Sequence, residues 1–400
     1  MDQRTRAYLA CSAIVGIFLF VQLGALALVG PFESAGYQAV DDPDNPVNSL
    51  VYVVAILVMT GVMLAVIKFG LEWILRALMV FAGAYISLFA LRVVLPPVVT
   101  VPVSGFGINL LAWLVAVALG VALWVYPEWY VVDAAGVVMG AAAAGLFGIS
   151  FGVLPALVLL VVLAVYDAIS VYGTEHMLTL ASGVMDLKVP IVLVVPLSLS
   201  YSYLDAEMPD PVAEEGGETD EERTVPADEQ GDVPADVGDE RDTDTDTGTG
   251  TAAAVNGGVA AEDAGSGGDA ETEGGGSDTE TEASPGEEAT DPEPDPLDRE
   301  ALFIGVGDAV IPTVLVASAA FFAPDSVPAV ELFGFPVALP ALTAMVGTLV
   351  GLVLLLRMVL KGRAHAGLPL LNGGTIAGYL IGALAGGLSL VQALGLGPYV

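Results

Sequence analysis

Runs of roughly 20 apolar residues, the length that carries a helix across about 30 Å of hydrocarbon at ~1.5 Å per residue, recur nine times along the chain. They predict membrane-spanning helices over residues 7–30, 50–69, 71–95, 107–126, 130–149 and 152–174, and then over 301–320, 332–356 and 367–394. The first run follows Arg4 and Arg6 and is far longer than the apolar core of a secretion signal, so it is expected to remain as the first span. The expected fold class is therefore all-α, a polytopic membrane helix bundle of about nine helices.

Two stretches break the pattern. Residues 189–199 are apolar but too short to span, and with Pro190 and Pro196 they predict an interfacial or re-entrant piece beside the bundle. From Asp205 to Arg299 the sequence is dominated by Asp, Glu, Gly, Thr, Ala and Pro, with almost no aromatics. Such a segment buries too little apolar surface to offset its ordering entropy, and it is expected to be a disordered cytoplasmic loop. It lacks the spaced ligands of a calcium loop. The predicted organisation is a membrane half over 1–203, the acidic loop over 204–299 and a second membrane half over 300–400.

Basic residues test the orientation, because Lys and Arg collect in loops that stay in the cytoplasm. With the N-terminus inside and nine crossings, Arg4, Arg6, Lys68, Arg76, Lys188, Arg223, Arg241, Arg299, Arg357, Lys361 and Arg363 all fall on the cytoplasmic side or its helix ends. Only Arg92 falls outside. An integral membrane protein with a cytoplasmic N-terminus and an external C-terminus is expected.

Composition then narrows the function classes. The net charge is −35, yet 33 of the 47 acidic residues lie between Asp205 and Glu300, so most of the negative charge is confined to one segment. The 12 basic residues form no cluster, which argues against a nucleic-acid partner. The acidic excess suggests a high-salt cytoplasm, where self-repulsion is screened. Cys11, the single cysteine, cannot form an intrachain disulfide and reads as a small packing residue. Two histidines and one cysteine leave no zinc-protease constellation, and no phosphate loop is present. No metal or organic cofactor is expected.

Two acids stand well inside predicted spans. Asp167, in Ala164-Val165-Tyr166-Asp167-Ala168, precedes the cytoplasmic end of the sixth span by about eight residues, and Asp308, in Gly305-Val306-Gly307-Asp308-Ala309, follows the cytoplasmic start of the seventh by about nine. A charge at mid-bilayer costs on the order of 2.5 to 3.5 kcal/mol, so two at matched depth demand a reason. The small residues Ala164, Ala168, Gly305, Gly307 and Ala309 would let the two helices approach closely. Carboxyls so placed share one proton, the state in which an aspartic protease activates water. Depth and pairing alone leave three readings open: proteolysis, a proton or ion path, and a hydrogen-bonded packing pair.

Three motifs move the balance. Tyr166-Asp167, then Gly305-Val306-Gly307-Asp308, then Leu368-Pro369-Leu370-Leu371 at the last span resemble the YD, GxGD and PAL motifs of presenilins and signal peptide peptidases, most closely their archaeal presenilin-like homologues. The resemblance covers nearly the whole transmembrane part, including the long variable loop between spans six and seven. It implies an intramembrane aspartyl endopeptidase acting on transmembrane segments or remnant signal peptides, with Asp167 and Asp308 catalytic. It further implies that Gly305, Gly307, Pro369, Leu370 and Leu371 shape the site and engage extended substrate. Leu370 stands where the family has alanine, which is expected to narrow substrate choice. Pro369 is expected to break the helix and free backbone groups for strand-like pairing. Tyr166 is placed to hydrogen-bond near the pair or to position substrate.

The partners so implied are transmembrane peptides and the lipid bilayer. Other acids and histidines rank lower: Asp133 lies near a predicted helix end, Glu175, His176 and Asp186 near the interface, and His365 among Arg357, Lys361 and Arg363. Prepilin-type peptidases also use a GxGD aspartate, but their expected architecture lacks a late PAL-like segment. A proton-coupled transporter or cation channel with paired intramembrane carboxylates is the alternative, although no internal repeat accompanies the pair.

Overall fold

Helices dominate because lipid offers no partner for backbone N–H and C=O groups, and a helix satisfies them within one segment. The structure is a computed structural model that describes residues 3–103, 106–173, 192–198, 201–204, 301–332, 334–360 and 366–397. The expected acidic loop, most of the segment before residue 192, and Glu175, His176, Asp186 and His365 lie outside the described residues.

In chain order the helices are α1 (Gln3–Ser34), α2 (Val47–Lys68), α3 (Glu72–Val94), α4 (Leu110–Val125), α5 (Trp129–Ser150), α6 (Val153–Gly173), α7 (Val306–Phe321), α8 (Leu339–Val359), α9 (Gly367–Ala385) and the short α10 (Leu390–Ala393). Among the described residues, six are long and apolar enough to cross a membrane, and three shorter apolar helices lie in α2, α4 and α7. Each of the nine predicted runs thus meets one apolar helix. Large side chains such as Phe20, Phe81, Val117 and Ile381 face outward, as a lipid-facing surface requires.

Three two-stranded antiparallel ribbons depart from the all-α expectation. They are β1 (Thr100–Val103) with β2 (Phe106–Asn109), β3 (Val192–Pro196) with β4 (Ala301–Gly305), and β5 (Ala329–Leu332) with β6 (Phe335–Ala338). β1–β2 and β5–β6 shorten the predicted fourth and eighth spans at their starts, and Gly334 turns the latter ribbon at φ +89°. The predicted ninth span ends early at Ala385, where Gly387 turns the chain at φ +90°.

The β3–β4 ribbon refines one expectation and corrects another. Part of the proposed interfacial stretch is a strand, because Val192-Leu193-Val194-Val195 is a branched run that pairs with 301–305. Residues 301–305 are likewise extended rather than the first turns of a helix. The strand carries the chain inward before α7 begins.

Small residues decide which helices touch. Along α5, Gly136 faces Leu193 and Val306, Gly140 faces Val310, and Gly148 faces Ala317, so one glycine edge packs down the length of α7. On the opposite side of the bundle α8 and α9 meet backbone to backbone: Gly347 lies against the Gly374 carbonyl, Gly351 against that of Leu370, and Gly378 against that of Thr343. The buried hydroxyls of Thr348 and Thr375 bond across this seam at 2.8 Å.

Candidate active site

Three helices, α6, α7 and α9, and the strand β4 converge on two carboxyls. Asp167 lies six residues before the end of α6, and Asp308 lies in the first turn of α7, with Gly305 as its N-cap. Both aspartates are only 2% exposed. The sequence brings Asp308 deep by a strand followed by one helical turn, not by nine residues of helix. The physical consequence is that its carboxyl sits where helix N–H groups are unpaired and the helix dipole is positive.

The first turn of α9 closes the site. Its N-cap, Ala366, has no side chain able to cap. The Leu368 N–H, one of the orphan donors of that turn, donates instead to Oδ2 of Asp167 at 2.9 Å. A Cβ built on Gly367 would lie 3.9 Å from Oδ2 of Asp308, so the same turn touches the second carboxyl. Oδ1 of Asp308 is buried without a hydrogen-bond partner among the described residues, a costly arrangement that native proteins keep where the group has work to do.

Pro369 is the third residue of α9 and does not break a helix. In the first turn its missing N–H has no carbonyl to serve, so it costs nothing there. Leu371 is fully buried, and Leu370 packs partly into a cluster that includes Ala309, Leu352 and Leu355. Gly305, with φ −62° and ψ 134°, has a backbone open to any residue. Gly307 is half-buried between Val306 and Asp308, and Tyr166 is half-buried beside Asp167. Asp167, Asp308 and the first turn of α9 thus meet where α6, α7 and α9 come together, with Tyr166, Gly305 and Gly307 adjoining the two acids along the chain and Leu370 and Leu371 turned into the cluster shared with α1 and α8.

Three residues of this region were not singled out from sequence. Asn372, fully buried on α9, donates to the Leu160 carbonyl of α6 at 2.9 Å, one helical turn beyond Leu368. Pro312 follows Asp308 by four residues in α7, and its absent N–H leaves the Asp308 carbonyl without its helical donor. Glu128 is 6% exposed and binds the chain just after β3, accepting from Ser202 Oγ at 2.7 Å and from the Tyr203 N–H at 3.1 Å. A glutamate directly before an apolar run was the available signal for Glu128. Asn372 and Pro312 were visible only as a polar residue and a helix-breaker inside apolar runs.

Comparison with known proteins agrees with this geometry. A family model described as signal-peptide peptidase, presenilin aspartyl protease matches residues 15–223 and 272–388. The chain belongs to that family. The protease is similar to a solved presenilin family intramembrane aspartate protease in two crystal forms. In the C222 form the identity is 27%, the match covers 94% of this chain and 99% of the other, and the TM-score is 0.52. In the P2 form the corresponding values are 27%, 93%, 97% and 0.50. No curated protein matches significantly. The protein is an integral membrane aspartyl protease that acts on membrane-embedded substrates, and nothing in these matches supports the transporter or channel alternative.

Proposed function

We propose that Asp167 and Asp308 are the catalytic pair of this protease. The observation that carries the reading is the shared first turn of α9, which hydrogen-bonds one carboxyl and lies against the other in a buried, low-dielectric site. The pair holds one proton between them. The Leu368 N–H stabilises negative charge on Asp167, which suits it to accept a proton from water as the water oxygen bonds to the scissile carbonyl carbon. Asp308 donates its proton toward the developing oxyanion. A proton then passes to the amide nitrogen, the C–N bond breaks, and a carboxyl and an amine are released.

The substrate is the backbone of a single transmembrane segment or a remnant signal peptide, opened from helix to an extended form at the cleaved bond. β4 runs straight into the turn that bears Asp308, so its backbone is placed to pair with such a strand. Gly305 and Gly307 keep that approach narrow in side chains, Tyr166 borders it, and Pro369 and Leu370 form its α9 wall, with the fully buried Leu371 packed behind them. Leu370, larger than alanine, restricts the substrate side chain opposite it. The basic residues put the N-terminus in the cytoplasm and the C-terminus outside.

The test is cleavage of a single-span reporter by purified protein in lipid. Wild type is expected to cut, and Asp167→Ala and Asp308→Ala to be silent at matched folding. Cleavage surviving either substitution would overturn the assignment.

A further inference from the structure

The β3–β4 ribbon has two edges, and they are treated differently. Val194 pairs with Phe303, Leu193 with Ile304 and Val195 with Leu302. The Val194 N–H donates away from the ribbon, to Oδ1 of Asp133 on α5, at 2.8 Å. By the alternation of an antiparallel ladder, residues 192, 194 and 196 of β3 therefore point their backbone groups outward, and 193 and 195 toward β4. Pro196 falls on an outward position, where a residue without N–H belongs. Of the three outward N–H positions on β3, one is taken by Asp133 and one does not exist. The opposite edge, on β4 at Phe303, makes no backbone hydrogen bond to any described residue.

The same stretch of α5 sets where the ribbon lies. Gly136, one turn beyond Asp133, would place a Cβ 3.0 Å from Leu193 Cδ2 and 3.3 Å from Val306 Cγ2. Strand and helix start both rest on that glycine. Gly305 ends β4 and caps α7, whose third residue is Asp308. A shift of the ribbon on α5 is thereby a shift of the carboxyl.

We propose that Asp133 is a positioning residue: by taking the Val194 N–H it occupies the centre of the outer β3 edge, holds the ribbon in one place on α5, and leaves the β4 edge for a substrate backbone to pair with. This rests on the reading of Asp167 and Asp308 as the catalytic pair. Among the described residues the hydrogen bond of Asp133 goes to the strand and not to the carboxyls. It acts through the strand.

The experiment compares wild type, Asp133→Ala, Asp133→Asn, Asp133→Glu and Asp308→Ala on the single-span reporter, reading kcat, KM, thermal midpoint and the masses of the products. Wild type active and Asp308→Ala silent shows that the protease reading stands, and its failure would appear there, whatever Asp133 does. Asp133→Ala is expected to lower kcat on the order of ten- to a hundredfold, the scale of an ångström-level misplacement, and to move cleavage by one or more bonds. Asp133→Asn keeps the Oδ1 acceptor and is expected to restore both rate and cleavage position. The proposal is overturned if Asp133→Ala cuts the same bonds in the same ratio as wild type, or if Asp133→Asn is as impaired as Asp133→Ala. Should Asp133→Ala not accumulate, Asp133→Glu decides: its acceptor is displaced by one methylene, so moved cleavage sites support the proposal and unmoved ones overturn it.

Discussion

The backbone N–H of Leu368 donates to Oδ2 of Asp167 at 2.9 Å, so a carboxylate on α6 caps a helix 201 residues away in sequence. The last span reaches the proposed catalytic pair through this bond, since Ala366 leaves the α9 N-terminus without a side-chain cap of its own. Leu368→Pro removes the donor in a first turn that tolerates proline, and it also trades the buried Leu368 side chain, packed with Leu159 and Leu163, for a smaller ring, so Leu368→Ala, which loses that packing but keeps the N–H, is its control. A hydrogen bond to a charged group contributes about 1.5 to 3 kcal/mol. The variant is therefore expected to lose roughly ten- to a hundredfold in kcat with KM nearly unchanged, as steady-state kinetics on helicity-matched protein will show.

Adjacent glycines on α9 should respond in opposite ways. Gly373 has open space where a Cβ would go, whereas a Cβ on Gly374 would press on the Gly347 carbonyl across the α8 seam. Gly373→Ala is expected to be neutral or to stabilise by up to about 1 kcal/mol, the usual gain over glycine within a helix. Gly374→Ala is expected to lower the thermal midpoint and to cost activity beyond the loss of folded protein, because α9 must move and carries Leu368 with it. Thermal unfolding and cleavage rates on the two variants separate these outcomes.

Asn372 ties α9 to α6 at the Leu160 carbonyl. Asn372→Ala deletes that bond and leaves a small void, with an expected cost of about 1 to 3 kcal/mol. Because Leu160 and Asp167 are two turns apart on one face of α6, the variant should also lower kcat more than it raises KM, measured on the reporter.

Burial alone would raise the Glu128 carboxyl, but hydrogen bonds from Ser202, Tyr203, Trp129 and Leu204 outweigh it and hold the group below the ordinary glutamate value. A carboxyl depressed in the folded state contributes stability above its unfolded value and loses it as pH falls through the folded one. The Glu128 contribution to stability is therefore expected to be level near neutrality and to drop below about pH 4.5, the ordinary glutamate value. Glu128→Gln should flatten that drop, as thermal midpoints recorded from pH 3 to pH 7 will show.

Much was legible because the bilayer is a severe solvent. A run of 20 apolar residues has few structural options in lipid, so each predicted span met a helix. An acid within such a run is costly enough to single out Asp167 and Asp308 before any fold is known. Hydropathy cannot separate a strand from a helix over five residues, however, and it misread 301–305, whose partner 192–196 lies more than a hundred residues earlier. The same limit hid Asp133, which looked like a helix-end acid and is the edge partner of a strand. Pro369 was expected to break the helix although the predicted span already began at residue 367; three residues in, it lies in the first turn, where its missing N–H costs no helical bond.

The sequence by itself thus determined the solvent of each segment, the apolar helices, and which two carboxyls had to be explained. Tertiary structure alone decided that they meet at the N-terminus of α9, which donates to one and abuts the other. It also decided that a two-stranded ribbon held by Asp133 delivers Asp308 to that point. The reason is physical: spanning depends on local hydrophobicity, which one segment carries within itself. Carboxyl placement depends on glycine seams, donated N–H groups and strand register, each of which exists only between segments that the fold has already brought together.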